Sequence, residues 1–153
     1  RDAQESRGLG DVYKRQVVCA MRDAGLFPLD ENFLWFSSFQ RHQLVELQDE
    51  ELLRAFLRQQ LSGCTAVVCY NDEIAFHLIR TLLRAGKRVP EDVAIVSFDN
   101  SYYSTFGPVS MTSIGHEPHA MGRAATENLL SQIRRQPCRS VSLPWTLYAR
   151  QSG

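Results

Sequence analysis

Asn71 and Asp99 are the residues of this 153-residue chain best placed for recognition chemistry. Each follows an apolar run, Thr65 to Tyr70 (TAVVCY) and Val93 to Phe98 (VAIVSF), so both fall at the carboxyl edge of one predicted sheet. Ligands of open α/β folds bind at that edge. An ionised carboxylate only accepts hydrogen bonds, whereas an amide both donates and accepts. The pair therefore suits a polyhydroxylated ligand, because a buried hydroxyl left unmatched costs roughly 1–3 kcal/mol. Taken singly, each residue has a plainer explanation: Asn71 can cap a helix and Asp99-Asn100 can turn the chain. On neighbouring strands they point to one sugar-type cleft. Trp35, Phe36 and Phe39 offer faces on which a sugar could stack, although side chains this large often serve as core.

Other chemistries find less support. No GxGxxG or GxxxxGK[ST] loop cradles a phosphate, and no GxSxG elbow presents a serine after a strand. His116 and His119 lie three residues apart without the further ligands that a metal site needs, so both are expected to be structural or solvent-facing. His77 falls within a helical stripe and is expected to be packed or at its rim.

The elements that carry Asn71 and Asp99 follow from apolar periodicity. Val17, Val18, Met21 and Leu26 form a helical stripe stopped at Gly25, and Phe33 to Phe36 is a candidate aromatic strand. Leu44, Leu47, Leu52, Leu53, Phe56, Leu57 and Leu61 recur at three- and four-residue steps, which predicts one helix ended by Ser62-Gly63. The two runs preceding Asn71 and Asp99 are apolar on both faces, as parallel strands covered by helices require. Between them, Asn71-Asp72 begins a helix over Ile74, Phe76, Leu78, Ile79, Leu82 and Leu83 that Gly86 stops, and Val89 to Asp92 is a turn. This strand and helix alternation predicts a doubly wound α/β layer with right-handed crossovers. After a Ser- and Tyr-containing loop, Met111 to Ile114 reads as extended. Glu117 to Ile133 reads as a helix with Pro118 in its first turn and Met121, Ala124, Ala125, Leu129 and Ile133 on one side. Val141 to Tyr148 is a last strand, and Pro144 assigns it to an edge or bulge.

Composition sets the outer bounds. With 44% hydrophobic and 22% charged residues the chain matches one globular domain, and 17 basic against 17 acidic residues provide no excess for binding a phosphate backbone. No apolar run reaches the length of a membrane span and no secretory layout opens the chain, so a soluble, cytoplasmic protein is expected. Cys19, Cys64, Cys69 and Cys138 lack metal or paired spacing and are expected to be reduced, mostly buried thiols. Residues 1–16 carry no apolar period, and Asp11-Val12-Tyr13-Lys14-Arg15-Gln16 resembles the translation of a transposon end used in preparing sequencing libraries. They are read as a non-native scar, with natural sequence starting at Val17 and its upstream part missing.

Two blocks then cease to be generic. Thr65-Ala66-Val67-Val68-Cys69-Tyr70-Asn71-Asp72-Glu73-Ile74-Ala75 and Arg88-Val89-Pro90-Glu91-Asp92-Val93-Ala94-Ile95-Val96-Ser97-Phe98-Asp99-Asn100 resemble the effector-binding domain of the lactose and galactose repressor family. Met111-Thr112-Ser113-Ile114 resembles the family's crossover, Gly122-Arg123-Ala124-Ala125 the start of its long helix, and Pro144, Leu147 and Arg150 its closing strand. The wording Cys69 to Ala75 is most similar to arabinose repressors, which carry a winged helix of the GntR type. The resemblance implies a type I periplasmic-binding-protein-like fold, here an incomplete two-lobed domain over residues 17–153. Residues 17–109 and 138–153 would form the C-terminal lobe, and 110–137 would supply a helix of the N-terminal lobe. It implies that Asn71 and Asp99 bind effector hydroxyls, that Phe36 or Phe39 stacks on the sugar ring, and that Phe106 is a dimer contact. It further implies a small sugar effector, possession of no cofactor, a homodimer when intact, no contact with membranes, and DNA binding only through a missing N-terminal domain. A periplasmic sugar-binding protein of a transporter is the alternative, and an enzyme is not expected. Two departures from the family pattern stand out: Ser97 where Gly is usual, and Gln16 where the first helix has Gly.

Overall fold

The computed structural model describes residues 14–59, 61 and 63–153. The first thirteen residues of the expected scar, and Ser62 of the expected helix stop, lie outside them. Along the chain run α1 (14–23), a single 3-10 turn (Asp30–Asn32), α2 (Ser38–Val45), α3 (Glu51–Gln59), β1 (Ala66–Val68), α4 (Asp72–Arg84), β2 (Ala94–Phe98), α5 (Tyr103–Phe106), β3 (Thr112–Gly115), α6 (Pro118–Ile133) and β4 (Thr146–Tyr148).

Among the described residues four strands form one sheet in the order β1-β2-β3-β4, with β1, β2 and β3 parallel and β4 antiparallel to β3. This is an α/β layer with helical crossovers, mixed at one edge. Pro144 lacks a backbone N–H, and the last strand pairs only after it, over three residues at the sheet edge. It is shorter than the run from Val141 predicted.

Helix α4 packs the sheet. Its N-cap is Asn71, whose side chain accepts from the Ile74 amide at 3.1 Å. At the other end Gly86 adopts φ +74°, and the Gly86 and Lys87 amides return to the Leu83 and Leu82 carbonyls, the double bond that closes a helix with a left-handed residue. Ile74, Ala75, Leu78, Ile79 and Leu82 are buried against Ile95, Val93 and Met111, with Leu44 of α2 and Leu53 of α3 closing the far side. Each such Leu or Ile contributes about 1.5–3 kcal/mol by leaving water.

Several sequence expectations need correction. The predicted helix from Leu44 to Leu61 is two helices. Gln48 takes φ +52° and Asp49 accepts from the Glu51 amide at 3.0 Å, so the chain turns and restarts although the apolar spacing runs through. Phe33 to Phe36 forms no strand: a strand exists only through ladder bonds, and none reaches these residues, whose rings instead stack, Phe33 on Trp35. Strand β1 is not covered on both faces, because Val68 is 53% exposed. The first helix is already present at residue 14, ahead of Val17. Of the four thiols only Cys69 is buried, where burial first and the Asp72 charge second push it up to about 12; Cys19 and Cys138 are exposed. The α6 residues Met121, Leu129 and Ile133 are exposed, the last 69% so.

Candidate functional site

Parallel strands β1 and β2 run in register from Ala66 opposite Ala94 to Val68 opposite Val96, so their carboxyl ends, and Asn71 and Asp99 beyond them, share one sheet edge. The cap bond takes one of the two acceptor positions of the Asn71 carbonyl oxygen and draws on neither N–H of its amide nitrogen. Asp99 is exposed, and its carboxyl is pushed above the ordinary Asp range, by burial first and by the Asp72 charge second.

The backbone at Asp99 is unusual. Asp99 and Asn100 both lie at positive φ, +100° and +49°, without either being glycine. Such residues cost about 1–3 kcal/mol each and persist only where the surroundings over-determine them. Here they do: the Asp99 amide donates to the Ile114 carbonyl at 2.8 Å and the Asn100 amide donates to Ser113 Oγ at 3.0 Å. Asn100 Oδ1 accepts from Arg150 Nη2 at 2.6 Å, and Arg150 Nη1 is anchored on the Met111 carbonyl at 2.7 Å. Gly115 leaves the room for this turn, since a Cβ there would stand 2.8 Å from Asn100 Cβ and 2.9 Å from the Asp99 carbonyl oxygen.

Beneath the turn lies Asp72, at 0% exposure. Its Oδ1 accepts from Ser97 Oγ at 2.5 Å and Ser113 Oγ at 2.7 Å, and its Oδ2 accepts from the Ser101 amide at 2.5 Å and Ser101 Oγ at 2.9 Å. Four donors satisfy both oxygens of a buried carboxylate, which is the condition for burying it charged. Sequence reasoning assigned Asp72 only to the helix start. The signal that could have found it is Ser97, a hydroxyl inside an apolar strand that must reach a partner when buried.

The other expected site residues are placed differently. Phe36 is half-buried and packs against the core, while Phe39 is 67% exposed on the first turn of α2. Phe106 is exposed at the end of α5 and stacks on Tyr102, ring centres 4.9 Å apart, with Phe76 at 6.4 Å. An aromatic not singled out, Trp145, stands at the start of β4 on the Asp99 edge, 58% exposed, against Phe98 and the His116 ring. His116 Nδ1 bonds the Pro144 carbonyl at 2.9 Å, and His77 is buried in α4. Among the described residues no group of His, Cys, Asp and Glu is arranged to hold a metal ion, and no helix is long and apolar enough to cross a membrane. Two shallow cavities of about 250 and 240 Å³ flank α3 and include neither Asn71 nor Asp99. The candidate site is thus an open sheet edge carrying a carboxylate, an amide and an aromatic ring, a surface that can bind hydroxyl groups.

Fold and edge together define an α/β protein with a polar carboxyl edge on a mainly parallel sheet. A family model described as a periplasmic binding protein-like domain matches residues 6–153, and the chain belongs to that family. It is 39% identical over 87 residues to the arabinose metabolism transcriptional repressor of Geobacillus stearothermophilus, a match covering 56% of this chain and 24% of that protein. It is also 40% identical over 74 residues to the HTH-type transcriptional regulator MalR of Streptomyces coelicolor, covering 48% of this chain and 22% of that one. The chain spans about a quarter of the length of the curated relatives it matches. Among solved structures, the complex of the transcriptional regulator CelR with cellobiose is similar at 30% identity and TM-score 0.69, over 88% of this chain and 39% of that chain.

Proposed function

We propose that this chain is part of the sugar-sensing domain of a bacterial transcription regulator, with Asn71 and Asp99 holding effector hydroxyls and no catalytic role. The observation that supports it most is the pairing of an amide and a carboxylate at the ends of adjacent parallel strands, in a member of a binding-protein family. The named relatives are regulators, which favours this role over that of a transporter's binding protein, and a similar regulator carries cellobiose. The regulator works in the cytoplasm, reads DNA through an N-terminal domain outside residues 1–153, and uses residues 17–109 and 138–153 as one lobe; of 110–137, β3 stays in the sheet of that lobe and the helix α6 crosses to the other. The effector is a small sugar, arabinose first by relation. Ligand closing two lobes shifts a dimer between operator-bound and released states by its differential affinity for them.

In the full-length protein, Asn71→Ala and Asp99→Ala are each expected to weaken sugar binding by roughly 1–3 kcal/mol, about tenfold or more, read by titration calorimetry. Unchanged affinity in both would remove them from the site. Acidification tests the same group. The carboxylate accepts at both oxygens, whereas protonation turns one into a donor and removes the charge that strengthens the other, so a raised Asp99 value makes affinity fall at a higher pH than an ordinary Asp would. A pH-independent affinity through the carboxylate range would contradict this.

Phe106, exposed beside Tyr102, is assigned to the dimer contact. Phe106→Ala is expected to weaken dimerisation by about tenfold or more in sedimentation of the full-length protein, as loss of a buried interface aromatic does. An unchanged dimer constant would leave Phe106 a loop-packing residue.

A further inference from the structure

We propose that Asp72 is the positioning residue of this site: through Ser113 and Ser101 it holds the Asp99-Asn100 turn in the conformation that presents the Asp99 carboxylate at the sheet edge. The ligand side of the claim rests on the sugar-sensing reading above; the hold on the turn does not.

The geometry is a relay. A serine hydroxyl has one proton, and Ser113 gives its proton to Asp72 Oδ1 at 2.7 Å. The lone pairs of Ser113 Oγ are thereby free to accept from the Asn100 amide at 3.0 Å. On the other side Asp72 Oδ2 takes both the Ser101 amide and the Ser101 hydroxyl, so the residue after the turn is pinned as well. Residues 99 and 100, both at positive φ, are thus clamped at their downstream end by a single fully buried carboxylate on α4. The same helix carries Asn71 as its cap, so one element sets both candidate ligand groups. Ser97 adds the fourth donor, at 2.5 Å, and so completes the coordination of Asp72. A neutral amide in place of this carboxylate cannot serve four donors, since one of its two heads is itself a donor.

The test compares Asp72→Asn and Ser113→Ala with wild type in the full-length protein, reading amide hydrogen exchange residue by residue and binding of arabinose, glucose and cellobiose. For Asp72→Asn, the Asn100 and Ser101 amides are expected to exchange at least about tenfold faster while the Ile79 and Leu82 amides of α4 stay within about twofold, and sugar affinity to fall at least about tenfold. Ser113→Ala leaves three of the four Asp72 bonds and is expected to accelerate Asn100 but not Ser101, which keeps the claim testable if Asp72→Asn does not fold. Combining the two is expected to cost less than the product of the single effects, since they act through one relay. Unchanged exchange at Asn100 and Ser101, or acceleration spread evenly through α4, overturns the proposal. So does faster exchange with sugar affinity intact, because the turn would then be held for stability alone. Absence of sugar binding by wild type defeats the sugar-sensing reading instead, while the exchange pattern still decides whether Asp72 holds the turn.

Discussion

Expressed alone, the 153-residue chain is expected to associate at micromolar concentration and to lack a single cooperative unfolding transition. Among the described residues strand β1 pairs only with β2, and its other edge lies beside the exposed Val68 and Tyr70. An open edge flanked by apolar side chains is a template for another strand. On the opposite side Met121, Leu129, Leu130 and Ile133 of α6, with Val141, Trp145 and Leu147, are all exposed. Neighbouring apolar groups on this scale are uncommon on a monomer and mark a surface made for contact. Size-exclusion chromatography with light scattering, and scanning calorimetry, check the expectation. A monodisperse monomer with one sharp transition would mean that these faces tolerate water. The same measurement on the full-length protein is expected to give a defined oligomer, because the sugar-sensing reading assigns both faces to further sequence.

The second large effect is expected at Gly115. An added Cβ would meet Asn100 Cβ at 2.8 Å and the Asp99 carbonyl oxygen at 2.9 Å, both on residues already at positive φ. Neither contact involves the movable end of a side chain, so the strand or the turn must shift. Overpacking of this kind costs about 1–3 kcal/mol in stability, occasionally more. The turn is the weaker party, since its conformation is strained while β3 is paired to both β2 and β4. Gly115→Ala in the full-length protein is therefore expected to reduce sugar affinity by more than its loss of melting temperature would suggest. Wild-type affinity in this variant would show that the position of Asp99 does not matter for the ligand. Gly107 is a suitable control: the one tight contact of a Cβ there is the Phe76 ring at 3.2 Å, with the Val109 carbonyl oxygen at an ordinary 3.5 Å.

The parts of the fold legible from sequence are those with local signals that tertiary contacts reinforce. Helix α4 announces itself by a capping Asn71, a six-residue apolar stripe and Gly86, and β2 by a run that is apolar except for Ser97 ahead of Asp99-Asn100. Where the local signal was continuous but the chain was not, reading failed. Leu44 and Leu53 both reach the core, yet from different helices, because Gln48 reverses the chain and Asp49 caps the next start. Apolar spacing cannot report a single left-handed residue. Phe33 to Phe36 failed for the opposite reason, since strand propensity carries no information about whether a partner strand lies alongside.

The candidate site divides along the same line. Asn71 and Asp99 were legible because position after a strand is a sequence property. Asp72 was not, because its role depends on Ser97, Ser101 and Ser113 converging from three places in the chain. Phe36 and Phe39 show the limit for aromatics: a ring that packs against the core and a ring left exposed on a helix are indistinguishable by type. Trp145 reaches the Asp99 edge only because β4 runs antiparallel to β3, pairing Thr146 with Gly115.

The most direct measurement is a crystal structure of the full-length protein with the sugar it binds most tightly among arabinose, glucose and cellobiose. The account predicts a sugar hydroxyl within about 2.5–3.0 Å of the Asp99 carboxylate, a second accepting from the Asn71 amide nitrogen, and Asp99 and Asn100 still at positive φ. A sugar bound elsewhere, with neither residue in contact, would contradict it.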